Sequence, residues 1–254
     1  MQQRWPVRLW VVRHGESLGN VANAAARAAG RSRLGLDLRD ADVPLSDLGR
    51  QQATALGEWF GGMPLEEKPE VVLVSPYLRA RQTAELIAAE ARLSDRPDDF
   101  VRDERLREKE FGILDLLTES GIAQFHPEQA RFRAVLGKFY HRPPGGESWC
   151  DVILRLRSLL DTVALHYAGR RALVVTHQVV LLCLRFLLER LSEEEILAID
   201  CQGDIANCGV TEYGFDPTLG RLGGMRLLRY NFVTPVKKTG TPVTAEPRAK
   251  AEVR

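Results

Sequence analysis

The sequence predicts an α/β protein of three layers, α/β/α, around a mostly parallel central sheet. Two observations predict it. Short continuous apolar runs recur at 9–12, 71–74 and 172–175, as expected of strands buried on both faces. Each run ends in a polar turn that opens a helix-patterned segment, and that alternation builds parallel sheets. The 254 residues, 44% of them apolar, suit one large domain with insertions.

Taken in order, residues 7–13 form the first strand. Residues 20–45 are part helical and part irregular, a long connection of the kind that forms lids and binding loops. Ser46 caps a helix carrying Leu48, Leu56 and Trp59/Phe60 at helical spacing, and Gly61-Gly62 stops it. Val71–Val74 is the second strand. Ser75-Pro76 then offers a cap and a first-turn proline for a helix to about Ala91. Residues 95–99 read as a polar loop, and Phe100–Leu106 as a third strand. The segment 110–147 is less regular, with short helices near 118–125 and 127–138, and Pro143-Pro144-Gly145-Gly146 breaks it.

From Ser148 the pattern is regular. Val152, Leu156, Leu159/Leu160, Val163 and Tyr167 mark an amphipathic helix, with Arg155 and Arg157 expected on its solvated side. Strand Ala172–Val175 leads through Thr176-His177-Gln178 into an apolar helix. Ser192 with Glu195 is a capping box. Two late strands follow at 207–215 and 222–232. The chain thus divides into a domain over 1–233, with insertions at 20–45 and 110–147, and a disordered tail over 234–254, rich in Thr, Lys and Pro without aromatic residues.

Charge excludes some partners. Lys+Arg 35 against Asp+Glu 34 gives a net charge of +1, so no global field favours nucleic acid or an anionic membrane. The apolar stretch 173–188 is interrupted by His177, Gln178 and Arg185 and is short for a membrane span. No secretory pattern precedes Arg4 and Arg8. Cys150, Cys183, Cys201 and Cys208 lack metal-ligand spacing and suit a reducing, cytoplasmic setting.

The chemistry gathers at the strand ends. The first strand delivers Arg13-His14, the helix after the second delivers Arg79, the fourth delivers His177, and Glu108 follows a strand-like piece. Open α/β sheets bind ligands at the carboxyl ends of their strands. Two arginines, two histidines and a carboxylate placed there describe an anion site with a proton donor.

Arg13-His14-Gly15-Glu16-Ser17 with Asn20 resembles the signature of the histidine phosphatase superfamily, phosphoglycerate mutase-like branch. Leu45-Ser46, Gly49, Gln51 and Ala53 match its next block. Ser75–Ala80 with Thr83-Ala84, then Leu106-Arg107-Glu108 with Phe111-Gly112, Gly146-Glu147-Ser148 and Val174–His177 continue it in order over about 7–215. The resemblance implies a phosphoglycerate mutase-like fold. It implies His14 as the nucleophile, with Arg13, Arg79 and His177 around the phosphate, Asn20 as a further donor and Glu108 as general acid. Glu110 is the rival for that acid, but the Leu-x-Glu spacing favours Glu108. An attacking imidazole needs a free lone pair, so the other ring N–H of His14 is expected on a backbone carbonyl. Ser17, Gln178 and Glu147 are further candidates for substrate contact; Ser17 also suits orienting the loop, and Glu147 the start of the helix at Ser148. No metal and no cofactor is implied, because the arginines and histidines supply the positive charge. His126, His141 and His166 match no motif.

The chain departs from its relatives. Gln178 stands where the mutases have Gly, and His177-Gln178 is similar to the fructose-2,6-bisphosphatase branch. That branch places an arginine and a lysine where this chain has Leu182 and Gly145, and mutase-like chains keep Gly at the position of Asp115. The reading is a phosphatase acting on a small phosphorylated metabolite. The alternatives are a mutase and a phosphate-binding module without turnover, and a homodimer is left open. Residues 20–45 and 110–147 would choose the substrate. Their Arg27, Arg31, Arg33, Arg39, Arg131, Arg133, Lys138 and Arg142 either read a second acidic group or face solvent.

Overall fold

The computed structural model describes residues 4–93 and 99–245. Strands β1 (Arg8–Arg13), β2 (Val71–Val74), β3 (Phe100–Arg102), β4 (Arg171–Thr176), β5 (Val210–Asp216) and β6 (Gly224–Phe232) form one sheet in the order β3-β2-β4-β1-β5-β6. The pairs β3·β2, β2·β4 and β4·β1 are parallel, and β5 and β6 extend the sheet antiparallel. The mostly parallel sheet is therefore as expected, with an antiparallel edge. The third strand is shorter than expected, because residues 104–106 turn as a 3₁₀ helix capped by Asp103.

Alternation along the strands divides the core into two layers. Leu9, Val11, Leu73 and Val174 face one side and pack against α6 (Trp149–His166), α7 (Gln178–Glu189) and α8 (Glu193–Gln202). Trp10, Val12, Val74 and Val175 face the other, against α2 (Asp47–Gly61) and α3 (Leu78–Ala91). Both faces are covered, which explains the unbroken apolar runs in the strands. Among the described residues no helix is long and apolar enough to cross a membrane.

The two irregular segments form one cap. α1 (Leu18–Ala28) opens the first, and α4 (Glu119–Phe125) and α5 (Pro127–Tyr140) lie in the second. Backbone bonds join them: Leu34 N donates to Leu116 O at 3.0 Å, Thr118 N donates to Ser32 O at 3.2 Å, and Arg33 bridges Leu117.

Three expectations need correction. Residues 234–245 are not a disordered tail. They form α9 (Thr234–Lys238) and an extended stretch, with Val236 fully buried beside α2. Their polar composition hid two apolar anchors, Val236 and Val243. Residues 246–254 of that tail, and 95–98 of the expected polar loop, lie outside the described residues. Arg155 is not on a solvated face: its side chain is 11% exposed and grips Glu147. Ser75 does not cap α3, which starts two residues later than expected with Tyr77 at its cap position.

Candidate active site

The register of the central strands builds the site. Arg13 pairs with Thr176, and Val74 with Val175, so the residues that follow β1, β2 and β4 emerge together. His14 N donates to Thr176 O at 2.9 Å and Ser75 N to Val175 O at 3.1 Å. The rings of His14 and His177 meet edge to face with centroids 5.1 Å apart. Arg13, His14, Arg79 and His177 are all buried.

Gly15 serves this turn by taking little space. A Cβ on it would meet Gly49 O at 2.4 Å, and one on Gly49 would meet Glu16 O at 1.9 Å. The two glycines let the first turn of α2 press against the loop that carries His14. Thr83 Oγ1 accepts from Gly15 N, and Gln52 Oε1 accepts from Glu16 N. Asn207 Nδ2 donates to His14 O at 3.1 Å. The loop is thus pinned from three sides.

The state of His14 follows from its contacts. Its Nδ1 lies 2.7 Å from Gly15 O, which can only accept, so Nδ1 carries the proton and Nε2 the lone pair. Arg79 Nε points at that Nε2 from 3.2 Å. Burial, then the charges of Arg79 and Arg13, hold the ring's pKa well below its ordinary value, so it is neutral. His177 is neutral for the same first reason, burial, with Arg79 next. Its Nε2 lies 2.8 Å from Ser75 Oγ. Ser75 Oγ also accepts from Tyr77 N at 3.3 Å, and a hydroxyl with one proton and two lone pairs can meet either tautomer of His177. His177 Nδ1 is buried and has no hydrogen-bond partner among the described residues.

Glu108 lies on the loop between β3 and the cap. Burial raises its pKa, opposed by a 2.8 Å bond from Lys109 N and by Arg79; Asp40 adds to the rise. The loop is fixed by Glu147. This carboxylate takes Arg155 Nε at 2.9 Å, Arg107 Nη2 at 2.9 Å and Glu110 N at 3.1 Å. Arg155 also reaches Glu108 O. Glu147 is thereby a brace for the acid loop, while Ser148 caps the helix. Glu110, the rival acid, is bound by Tyr77 OH at 2.7 Å.

The remaining expected residues have structural partners. Ser17 and Asn20 form a capping box at α1, with Asn20 Oδ1 accepting from Ser17 N at 3.0 Å. Gln178 Nε2 donates to Asp204 Oδ1 at 2.7 Å. Three residues escaped sequence reading: Asp40, which takes both outer nitrogens of Arg79, Asn207 behind the nucleophile loop, and the Ser75 side chain. Ser75 stood within a matched motif, so its place beside a strand end was a usable signal. Asp40 and Asn207 carried none.

A layered α/β/α sheet with paired histidines and arginines at the carboxyl edge defines the phosphoglycerate mutase-like class of fold. The sequence pattern of the histidine phosphatase superfamily (branch 1) matches residues 9–227, and the chain belongs to that superfamily. It is 32% identical over 197 residues to 2,3-bisphosphoglycerate-dependent phosphoglycerate mutase 2 of Gloeobacter violaceus, covering 76% of this chain and 81% of that one. It is 33% identical over 180 residues to 6-phosphofructo-2-kinase/fructose-2,6-bisphosphatase of Caenorhabditis elegans; the match covers 70% of this chain but 33% of that longer protein. Among solved structures, mycobacterial glucosyl-3-phosphoglycerate phosphatase in complex with inorganic phosphate is similar, with a TM-score of 0.68 and 26% identity over 90% of this chain and 99% of that one.

Proposed function

We propose that the chain is a phosphomonoester hydrolase that works through a phosphohistidine at His14, on a small phosphorylated metabolite. The observation that carries this reading is the buried, neutral His14, with Nδ1–H tied to Gly15 O and a lone pair on Nε2. An imidazole in that state is a nucleophile. Beside it, Arg13 and Arg79 bring fixed positive charge and His177 a buried, unpartnered ring nitrogen, Nδ1, the groups placed to meet phosphate oxygens.

In the first step His14 Nε2 attacks phosphorus and the phosphorus–oxygen ester bond breaks. The leaving oxygen takes the proton of Glu108, which the raised pKa keeps available. In the second step a water oxygen attacks phosphorus and its proton passes to the Glu108 carboxylate. The phosphorus–nitrogen bond then breaks and returns the lone pair to His14. Arg79 gives up its 3.2 Å contact with His14 as the phosphoryl group arrives between them.

Rapid quenching in alkali during turnover of p-nitrophenyl phosphate tests the reading. A base-stable, acid-labile phosphoenzyme is expected, absent from His14→Ala together with turnover. Retained turnover in His14→Ala overturns it, and absence of turnover in the wild-type protein favours a binding module. The relative named as a mutase gives a second reading, phosphoryl transfer between positions of phosphoglycerate. Isomerisation of 3-phosphoglycerate faster than phosphate release would favour it.

A further inference from the structure

The cap places a carboxylate, Asp40, directly against one of the phosphate-binding groups. Asp40 sits in a short turn before α2. Its Oδ2 lies 3.0 Å from Arg79 Nη2, and its backbone carbonyl accepts from Arg79 Nη1 at 2.6 Å. Arg79 in turn lies over the ring of Tyr77, whose hydroxyl donates to Glu110. The backbone bonds between the cap segments bring Asp115 to the same mouth, where it feels Asp40 and Glu110 and is raised in pKa, burial being the larger cause. Of these carboxylates, Asp40 is the one in contact with Arg79. Arg107, beside Glu110, is committed to Glu147.

Five of the basic residues of the two segments have partners other than the phosphate-binding groups. Arg39 pairs with Asp42, Arg27 with Glu119, Lys138 with Asp200 and Arg142 with Asp151, and Arg33 stacks on Phe125. A leaving group attached to a phosphate at His14 extends past Arg79 into this acidic mouth. A carboxylate there meets the like charge of Asp40, whereas hydroxyls or an ammonium find acceptors.

We infer that Asp40 makes this a site for phosphomonoesters whose alcohol carries no negative charge, selecting a polyol or amino-alcohol phosphate over a phosphorylated acid. The inference rests on the hydrolase reading and fixes the class of leaving group.

Three small phosphoesters test it: glycerol 3-phosphate, phosphoethanolamine and 3-phosphoglycerate, with p-nitrophenyl phosphate as reference. The wild-type protein is expected to show kcat/KM about tenfold higher for the first two than for 3-phosphoglycerate. Asp40→Asn should narrow that ratio by about tenfold, through a gain on 3-phosphoglycerate. Asp115→Asn should narrow it by a smaller factor, and it carries the comparison should Asp40→Asn fail to fold. Equal use of 3-phosphoglycerate and glycerol 3-phosphate by the wild-type protein, or a ratio unmoved in the folded variants, overturns the inference and leaves the hydrolase reading intact. Failure to turn over any of the four overturns both.

Discussion

Ser75 Oγ lies 2.8 Å from His177 Nε2, and this bond fixes the orientation of the His177 ring in the site. The hydroxyl and the ring come from the ends of adjacent parallel strands, so sheet register sets the contact. Ser75→Ala should therefore lower kcat by about tenfold, the value of one buried hydrogen bond, with a smaller change in KM. Ser75→Thr, which keeps the hydroxyl, should recover part of the loss. Steady-state kinetics on p-nitrophenyl phosphate reads both.

The two buried histidines make stability depend on pH. Both are held neutral in the fold, with pKa values well below the ordinary 6.5. The unfolded chain therefore binds more protons as pH falls below 6.5, and the native state loses ground. Their contribution is full above that pH and is lost on acidification, at up to about 1.4 kcal/mol per pH unit for each ring. Urea unfolding between pH 8 and pH 5 should show the decline, and His14→Gln should reduce its slope.

Glu108→Gln should slow hydrolysis of alkyl phosphates by about a hundredfold or more, because an alkoxide needs its proton. p-Nitrophenyl phosphate, with a stable leaving anion, should lose far less. Activity on alkyl esters should fall as pH rises through the raised pKa of Glu108, and the Gln variant should lack that limb of the profile.

Glu147 is 11% exposed and holds Arg155 and Arg107 together with the Glu110 amide. Glu147→Ala leaves the Arg155 guanidinium, 11% exposed, without its carboxylate and should cost about 3 kcal/mol of stability. Chemical denaturation measures it. Glu147→Gln, which still accepts hydrogen bonds, should lose less.

The C-terminal stretch supports the nucleophile at one remove. Thr244 Oγ1 donates to Asn207 Oδ1 at 3.0 Å, and Gln52 Nε2 donates to Thr244 Oγ1 at 2.9 Å. Asn207 and Gln52 are the side chains that hold the loop at His14 and Glu16. Ending the chain after Gly240 should lower kcat several-fold while Val236 keeps α9 anchored, and kinetics with circular dichroism separates that effect from unfolding.

Much of this was legible in the sequence because it rests on local pattern. Strands buried on both faces must be apolar throughout, so β1, β2 and β4 announced themselves, and His14, Arg79 and His177 followed by position. The carbonyl on His14 Nδ1 was expected from chemistry and is there. What stayed hidden depends on long-range geometry. Asp40 meets Arg79 across 39 residues and Asn207 meets His14 across 193, and neither sits in a periodic pattern. Arg155 shows the opposite error: its place in the helix repeat read as solvated, but a buried carboxylate eight residues back overrode the repeat. The stretch 234–245 misled through composition, since two valines suffice to dock it.

The backbone ladder between Ser32–Leu34 and Leu116–Thr118 has a practical consequence for redesign. The halves of the cap are far apart in the chain but form one mechanical unit. A loop transplanted from a relative into only one half would arrive without the strand-like partner that sets its height over the site. The two segments are hydrogen-bonded as one piece, and a graft should carry both halves or neither.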